Sequence, residues 1–248
     1  MTEDTAKAHV PTVPHFPTLR WRPPTLPTLP TLPTLPHLRW KLPIMNLYSE
    51  LIFPRLLDTV MSKSLFSQYR KSLLAQVSGE VLDIGFGTGL NLPYYPAEIK
   101  KLTAIDVNPG MNAIARQRLS NSALNIDLQQ LNGEHLPMGD RTFDTAVSTW
   151  TLCSIADIEQ ALREIYRVLK PGGKFLFIEH GLSSEPKVQV WQNRLTPVQK
   201  MIADGCHLNR DIEHLITAQN FQMIQLDKFY VETLPKFGGY FYQGIAMK

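Results

Sequence analysis

Apolar residues follow two different periods along this chain, and each predicts a different kind of element. Over residues 46–77 they recur every three or four positions: Leu51, Ile52, Leu56, Leu57, Val60 and Met61, then Phe66, Tyr69, Leu73 and Leu74. That spacing predicts helices, interrupted at Pro54, with Lys63, Arg70 and Lys71 on the other faces. Beyond residue 80 the pattern changes to short apolar runs with helical stretches between them. Runs at 81–84, 101–106, 124–130, 145–148 and 174–179 predict buried strands, and 109–119 and 161–169 predict helices. The second helix puts Leu162, Ile165 and Leu169 on one face and meets a stop at Lys170-Pro171-Gly172-Gly173. Two further runs, 221–230 and 240–247, alternate aromatic residues and flank Leu234-Pro235-Lys236. Alternation of strand and helix predicts an α/β fold with a doubly wound parallel sheet.

Ahead of residue 46 neither period holds. Residues 25–36 read Thr-Leu-Pro four times over. Each proline fixes its own φ and pushes the preceding leucine out of helical space. Residues 1–45 are therefore expected to be a disordered, extended Pro-rich tail, and 46–248 the folded domain with a helical lead-in at 46–77. Two readings of the tail stand side by side: a ligand or spacer for a Pro-recognising domain, and a repeat expansion with no partner. Composition sharpens the boundary. Ten of the 19 prolines lie in residues 1–43, and no glycine precedes Gly79.

Charge follows the same boundary. The chain of 248 residues carries a net +3, and residues 1–45 alone hold five Lys/Arg against two Asp/Glu. The remainder sums to zero, which argues against a nucleic-acid partner. Trp21 and Trp40, flanked by Arg20, Arg22, Arg39 and Lys41, have the composition of a membrane–water interface. A peripheral membrane contact through this N-terminal segment is thus one expectation. Two cysteines, no long apolar run and no basic-then-apolar leader predict a cytoplasmic location without disulfides or a membrane-spanning helix.

The stretch Asp83-Ile84-Gly85-Phe86-Gly87-Thr88-Gly89-Leu90 carries the most chemistry. Three alternate glycines after a buried strand make a tight turn that a ligand can approach closely. A dinucleotide turn needs glycine where Leu90 stands. The acid ahead of the turn, Asp83, suits a cationic ligand such as the ammonium of an amino-acid moiety, which points to S-adenosylmethionine rather than NAD. Asp106, 17 positions after Gly89, ends the second strand where a carboxylate can accept from ribose hydroxyls. Asn132 and Gly133, in the loop after the third strand, offer an amide and a bare backbone to an adenine edge.

Together with Phe143-Asp144 and Arg167-Val168-Leu169-Lys170-Pro171-Gly172-Gly173, these residues resemble class I S-adenosylmethionine-dependent methyltransferases over roughly 78–180. Leu152-Cys153-Ser154, Glu179-His180, Trp191-Gln192 and Asp204-Gly205-Cys206-His207-Leu208-Asn209-Arg210 extend the likeness to the methyltransferase-like 7 group, which methylates alkyl thiols. The resemblance implies a Rossmann-like, mostly parallel seven-stranded sheet closed by a C-terminal antiparallel hairpin. It implies S-adenosyl-L-methionine held by Asp83, Gly85, Gly87, Gly89, Asp106, Asn132 and Gly133. It also implies a small-molecule acceptor, a thiol first and a lipid amine or quinone ring second. An NAD-dependent oxidoreductase and a non-catalytic cofactor-binding protein are the rival classes.

Methyl transfer needs no metal, and Cys206-His207 lacks partner ligands at zinc spacing, so none is expected. His180, after the fifth strand, is the candidate general base, with a packing histidine as the other reading. Cys153 reads as a buried, inert thiol, and Arg210 as a substrate anchor or a solvated charge. Trp150 and Trp191 read as pocket walls or as core.

Overall fold

A computed structural model of the protein describes residues 47–248. The expected Thr-Leu-Pro tail, residues 1–45, lies outside the described residues. Five parallel strands form the centre: β1 (Glu80–Ile84), β2 (Lys101–Ile105), β3 (Ile126–Gln129), β4 (Phe143–Thr149) and β5 (Leu169–His180). β6 (Gln222–Tyr230) and β7 (Tyr240–Met247) complete a seven-stranded sheet in the order β3-β2-β1-β4-β5-β7-β6. β7 runs antiparallel to both β5 and β6, with His180 opposite Phe241. The order reverses between β1 and β4, which opens the crevice where ligands bind in open α/β sheets.

Side-chain alternation assigns the two faces. Leu82, Ala146, Phe175 and Phe177 pack with α4 (Ile158–Val168) and α6 (Ile212–Thr217) on one side. Val81, Leu102, Val147, Leu176 and Ile178 pack on the other with α2 (Ser64–Leu74) and Ala115 of α3 (Pro109–Leu119). Both layers are built of buried apolar side chains, as expected for a parallel sheet covered on both faces.

Several expected boundaries shift for identifiable reasons. The lead-in is a π-helical turn, Tyr48–Ile52, followed by α1 (Phe53–Met61) and α2. Pro54 opens α1 rather than interrupting a helix, because its missing N–H falls in the unbonded first turn. α4 starts earlier than expected, at Ile158, where Asp157 caps it by accepting from the Gln160 N–H. The Lys170–Gly173 stop is already part of β5: Leu169 pairs with Phe143, and regular pairing resumes at Lys174 with Thr145. α5 (Pro186–Ile202) was not expected at all. Val190, Trp191, Val198 and Met201 are all exposed on it, so no clean apolar stripe betrays the helix. Among the described residues, no helix is long and apolar enough to cross a membrane.

Candidate cofactor and acceptor site

The glycine turn leaves β1 and folds over the end of β2. The backbone N–H groups of Gly85 and Phe86 both donate to the Ile105 carbonyl, at 2.9 and 3.0 Å. Gly85, Gly87 and Gly89 have φ of +72°, +60° and +85°, a region that favours glycine. At Gly85 a Cβ would also overlap the Thr151 side chain. Thr151 donates its hydroxyl to the Gly85 carbonyl at 3.2 Å, joining the loop after β4 to the turn.

Asp106 sits one residue past β2. Its Oδ2 accepts from the Gly87 N–H and its Oδ1 from the Asn108 N–H, both at 2.8 Å. Burial nevertheless pushes its carboxyl up, against both hydrogen bonds. Each oxygen keeps a lone pair for a further donor, which suits a vicinal diol. Asp106→Asn replaces one acceptor with a donor facing a backbone N–H. S-adenosylmethionine affinity is expected to fall by about 1–2 kcal/mol, roughly tenfold, in a calorimetric titration. An unchanged Kd would remove Asp106 from the site.

Asp83 is fully buried on the α2 side of the sheet. Its Oδ2 accepts from Asn91 Nδ2 at 2.9 Å and from the Tyr95 hydroxyl at 2.7 Å, while its Oδ1 has no partner. Burial raises its pKa to about 6, Asp106 adds to the rise, and Arg70 opposes it. An orphaned, buried carboxylate oxygen is the observation that fits a cationic ligand group at this turn.

Arg70 corrects an expectation. It does not lie on an outer face but is 4% exposed, donating to the Met61 carbonyl at 2.7 Å and stacking 4.8 Å above the Trp150 ring. Its spacing from Phe66, Leu73 and Leu74 is the signal that places it on their buried face. Trp150 packs edge-on against Phe66 and Phe241, as core rather than pocket wall.

Asn132 and Gly133 follow β3 at the same carboxyl edge as Gly85 and Asp106. The Asn132 side chain is turned into its own loop: Oδ1 accepts from the Glu134 N–H at 3.0 Å and Nδ2 donates to the Glu134 carboxylate at 3.2 Å. The lead-in is strapped across the turn. Asp58 of α1 accepts from the Thr88 hydroxyl at 2.5 Å and from Arg118 of α3 at 2.9 Å. Asn108 Nδ2 donates to the Ser49 carbonyl at 2.9 Å, and the Tyr48 hydroxyl donates to the Ile202 carbonyl at 2.8 Å. Sequence periodicity placed these helices without revealing what they cover.

On the acceptor side, the loop after β4 meets the end of β5 and the loop after α5. Glu179 is buried, and its Oε1 accepts from the Ser148 hydroxyl and from the Thr151 and Leu152 N–H groups at 2.9–3.0 Å. Burial, and then Cys153, push its carboxyl up to about 8. Neighbouring His180 lies 2.9 Å from Cys206 Sγ through Nε2, and its Nδ1 is buried without a partner. Cys153 joins them, so that one ligand atom from each of the three lies within 4.8 Å of the others. Spacing could not show this, because the donors come from three separate connections. A hydrogen bond from Cys206 holds the Cys153 thiol well below its ordinary range, against burial, and the Cys206 thiol is correspondingly raised.

Arg210 is not a solvated charge: it donates to the Leu152 and Ile155 carbonyls and braces the Cys153 loop from both sides. Trp191 is 56% exposed and walls no buried pocket. A cavity of about 130 Å³ lined by Glu80, Lys101 and Asp127 sits at the amino ends of β1 and β2, the edge opposite the glycine turn.

Comparison with known proteins agrees with this geometry. Residues 82–177 match the methyltransferase domain family. The chain is 35% identical over 206 residues to thiol S-methyltransferase TMT1B of Rattus norvegicus, covering 75% of this chain and 80% of that protein. It is 34% identical over 134 residues to the ubiquinone/menaquinone biosynthesis C-methyltransferase UbiE of Bartonella tribocorum, covering 50% and 52%. A SAM-dependent methyltransferase of Aquifex aeolicus superposes with a TM-score of 0.57 at 19% identity, covering 78% and 97%. Sheet order, glycine turn and the acids within β1 and after β2 thus define a class I S-adenosylmethionine-dependent methyltransferase. Bound there, S-adenosylmethionine supplies an electrophilic methyl group on a sulfonium sulfur. The chain belongs to the family of the thiol S-methyltransferases represented by TMT1B.

Proposed function

We propose that this enzyme methylates a small thiol. The observation that carries the reading is the extent of likeness to TMT1B: it covers 75% of the chain, about twice the matched domain at 82–177. The domain alone serves any methyl acceptor, and the elements beyond it select one. Likeness to the quinone C-methyltransferase is confined to 134 residues. A thiol attacks as its thiolate, so the acceptor side must favour loss of the S–H proton. His180, with Cys153 and Cys206 beside it, is the group we assign to that side; Glu179 and Arg210 hold the surrounding backbone. Asp83, the glycine turn and Asp106 hold and orient the cofactor.

The test is a panel of small alkyl thiols, phosphatidylethanolamine and quinol precursors, with S-adenosylhomocysteine as the readout. Product with thiols alone is expected. Turnover of the lipid amine or the quinol, with thiols inert, would move the acceptor to that class. Calorimetric binding of NAD, with none of S-adenosylmethionine, would overturn the enzyme class as well.

A further inference from the structure

We propose that Cys153, His180 and Cys206 form a three-ligand site for a thiophilic divalent cation, zinc above all, with one coordination position left open. Two thiol sulfurs and one imidazole nitrogen, with ligand atoms all within 4.8 Å, are gathered from the loop after β4, the end of β5 and the loop after α5. Tetrahedral zinc with bonds of about 2.3 Å to sulfur and 2.0–2.1 Å to nitrogen separates such donors by about 3.4–3.8 Å. To reach that range the 2.9 Å contact of His180 with Cys206 must open by about half an ångström, and a separation at the 4.8 Å limit of the cluster must close by about one.

Charge and support agree with the assignment. Cys153 and Cys206 are 2% and 6% exposed. Two buried thiolates are costly alone, and a divalent cation neutralises them. The backbone that carries Cys153 is already fixed. Its carbonyl accepts from the His207 N–H at 2.8 Å, Arg210 donates to the carbonyls of Leu152 and Ile155, and Glu179 accepts from the Leu152 N–H at 3.0 Å. His180 Nδ1 has no partner, and its Nε2 is turned toward Cys206 Sγ at 2.9 Å. Soft sulfur with imidazole selects zinc over the oxygen-seeking magnesium and calcium.

Three protein ligands are the number found where zinc keeps a position for substrate. The cluster also adjoins the cofactor turn on two sides. Thr151, two residues before Cys153, is bonded to Gly85. Asp204, two residues before Cys206, accepts from Asn108 beside Asp106. This part of the inference rests on the thiol reading above. An acceptor thiol entering the open position binds as thiolate, forming a metal–sulfur bond as its S–H proton leaves to water. His180 then serves as a ligand, and the cation does the work of lowering the thiol pKa.

The whole chain, purified under reducing conditions without chelators, is the sample to measure. Elemental analysis should find about one zinc per chain. Cobalt(II) should give the intense near-ultraviolet band of sulfur-to-cobalt charge transfer. Cys206→Ser and Cys153→Ser should each weaken zinc binding at least 100-fold while leaving S-adenosylmethionine affinity within threefold, which shows that the variants fold. Wild-type chain that binds S-adenosylmethionine yet takes up neither metal would overturn the proposal. So would a Cys153–Cys206 disulfide in that reduced sample. The thiol reading fails separately: stoichiometric zinc with no thiol methylated in the panel leaves the metal site standing and removes its substrate.

Discussion

Replacing Asp83 with Asn is expected to remove a fall in stability of about 3 kcal/mol between pH 4 and 6 and to weaken S-adenosylmethionine binding about 100-fold. The ordinary carboxyl value is 3.8, and burial raises it to about 6 in the folded chain. Between those values the folded state keeps a proton that the unfolded state has released, so stability drops as pH rises. It is highest below pH 4, and the full loss is in place above pH 6. Asn91 and Tyr95 already hold Oδ2, so the residual cost lies with the unpartnered Oδ1. A cationic ligand group at Oδ1 relieves that cost, and affinity for the cofactor should rise as pH increases through 6. Asn cannot supply the charge, and about 1.5–3 kcal/mol of charge-assisted hydrogen bonding disappears with it. Urea unfolding across pH and calorimetry of the cofactor measure the two effects. An undiminished drop between pH 4 and 6 in Asp83→Asn would assign it to another group. Glu179, raised from 4.5 to about 8, contributes its own decline between those values in both proteins, so Asp83 is read from the difference between wild type and variant.

Gly85→Ala is expected to lower stability by about 2–3 kcal/mol and cofactor affinity by more than tenfold. The left-handed backbone alone costs an alanine about 1–2 kcal/mol. The new methyl also falls on Thr151, whose hydroxyl bond to the Gly85 carbonyl ties the β4 loop to the turn. Gly87→Ala is the control. Its φ of +60° is comparable, but the nearest atom a Cβ would meet is the Gly85 carbonyl oxygen at 3.8 Å. Equal melting temperatures for the two variants would mean that the Thr151 contact contributes nothing.

The parallel core was legible because each central strand is a short apolar run, and glycines and acids punctuate their carboxyl ends. Asp83, Asp106 and the three glycines could be named from position alone, since backbone conformation and strand ends dictate them. Partners were not legible. Asn91 and Tyr95 approach Asp83 from a short 3-10 turn, Leu92–Tyr94, that has no period. Arg70 hides among apolar neighbours as a charge that sequence places in solvent. Cys153, His180 and Cys206 are 27 and 26 positions apart, and only the strand order brings them together. Ligand spacing reveals a metal site within one loop; three connections sharing a sheet edge leave no such trace.

The strap over the glycine turn bears on the order in which the chain assembles. A chain made from its amino end possesses the turn once Gly89 is in place, and α1 is there already to bond Thr88. Yet Tyr48 finds its partner only at Ile202, Cys206 follows, and His180 pairs across to Phe241. The cleft is therefore begun early and finished last. A chain shortened between α6 and β7 has the glycines and acids proposed to bind the cofactor but leaves β5 as an open edge beside them.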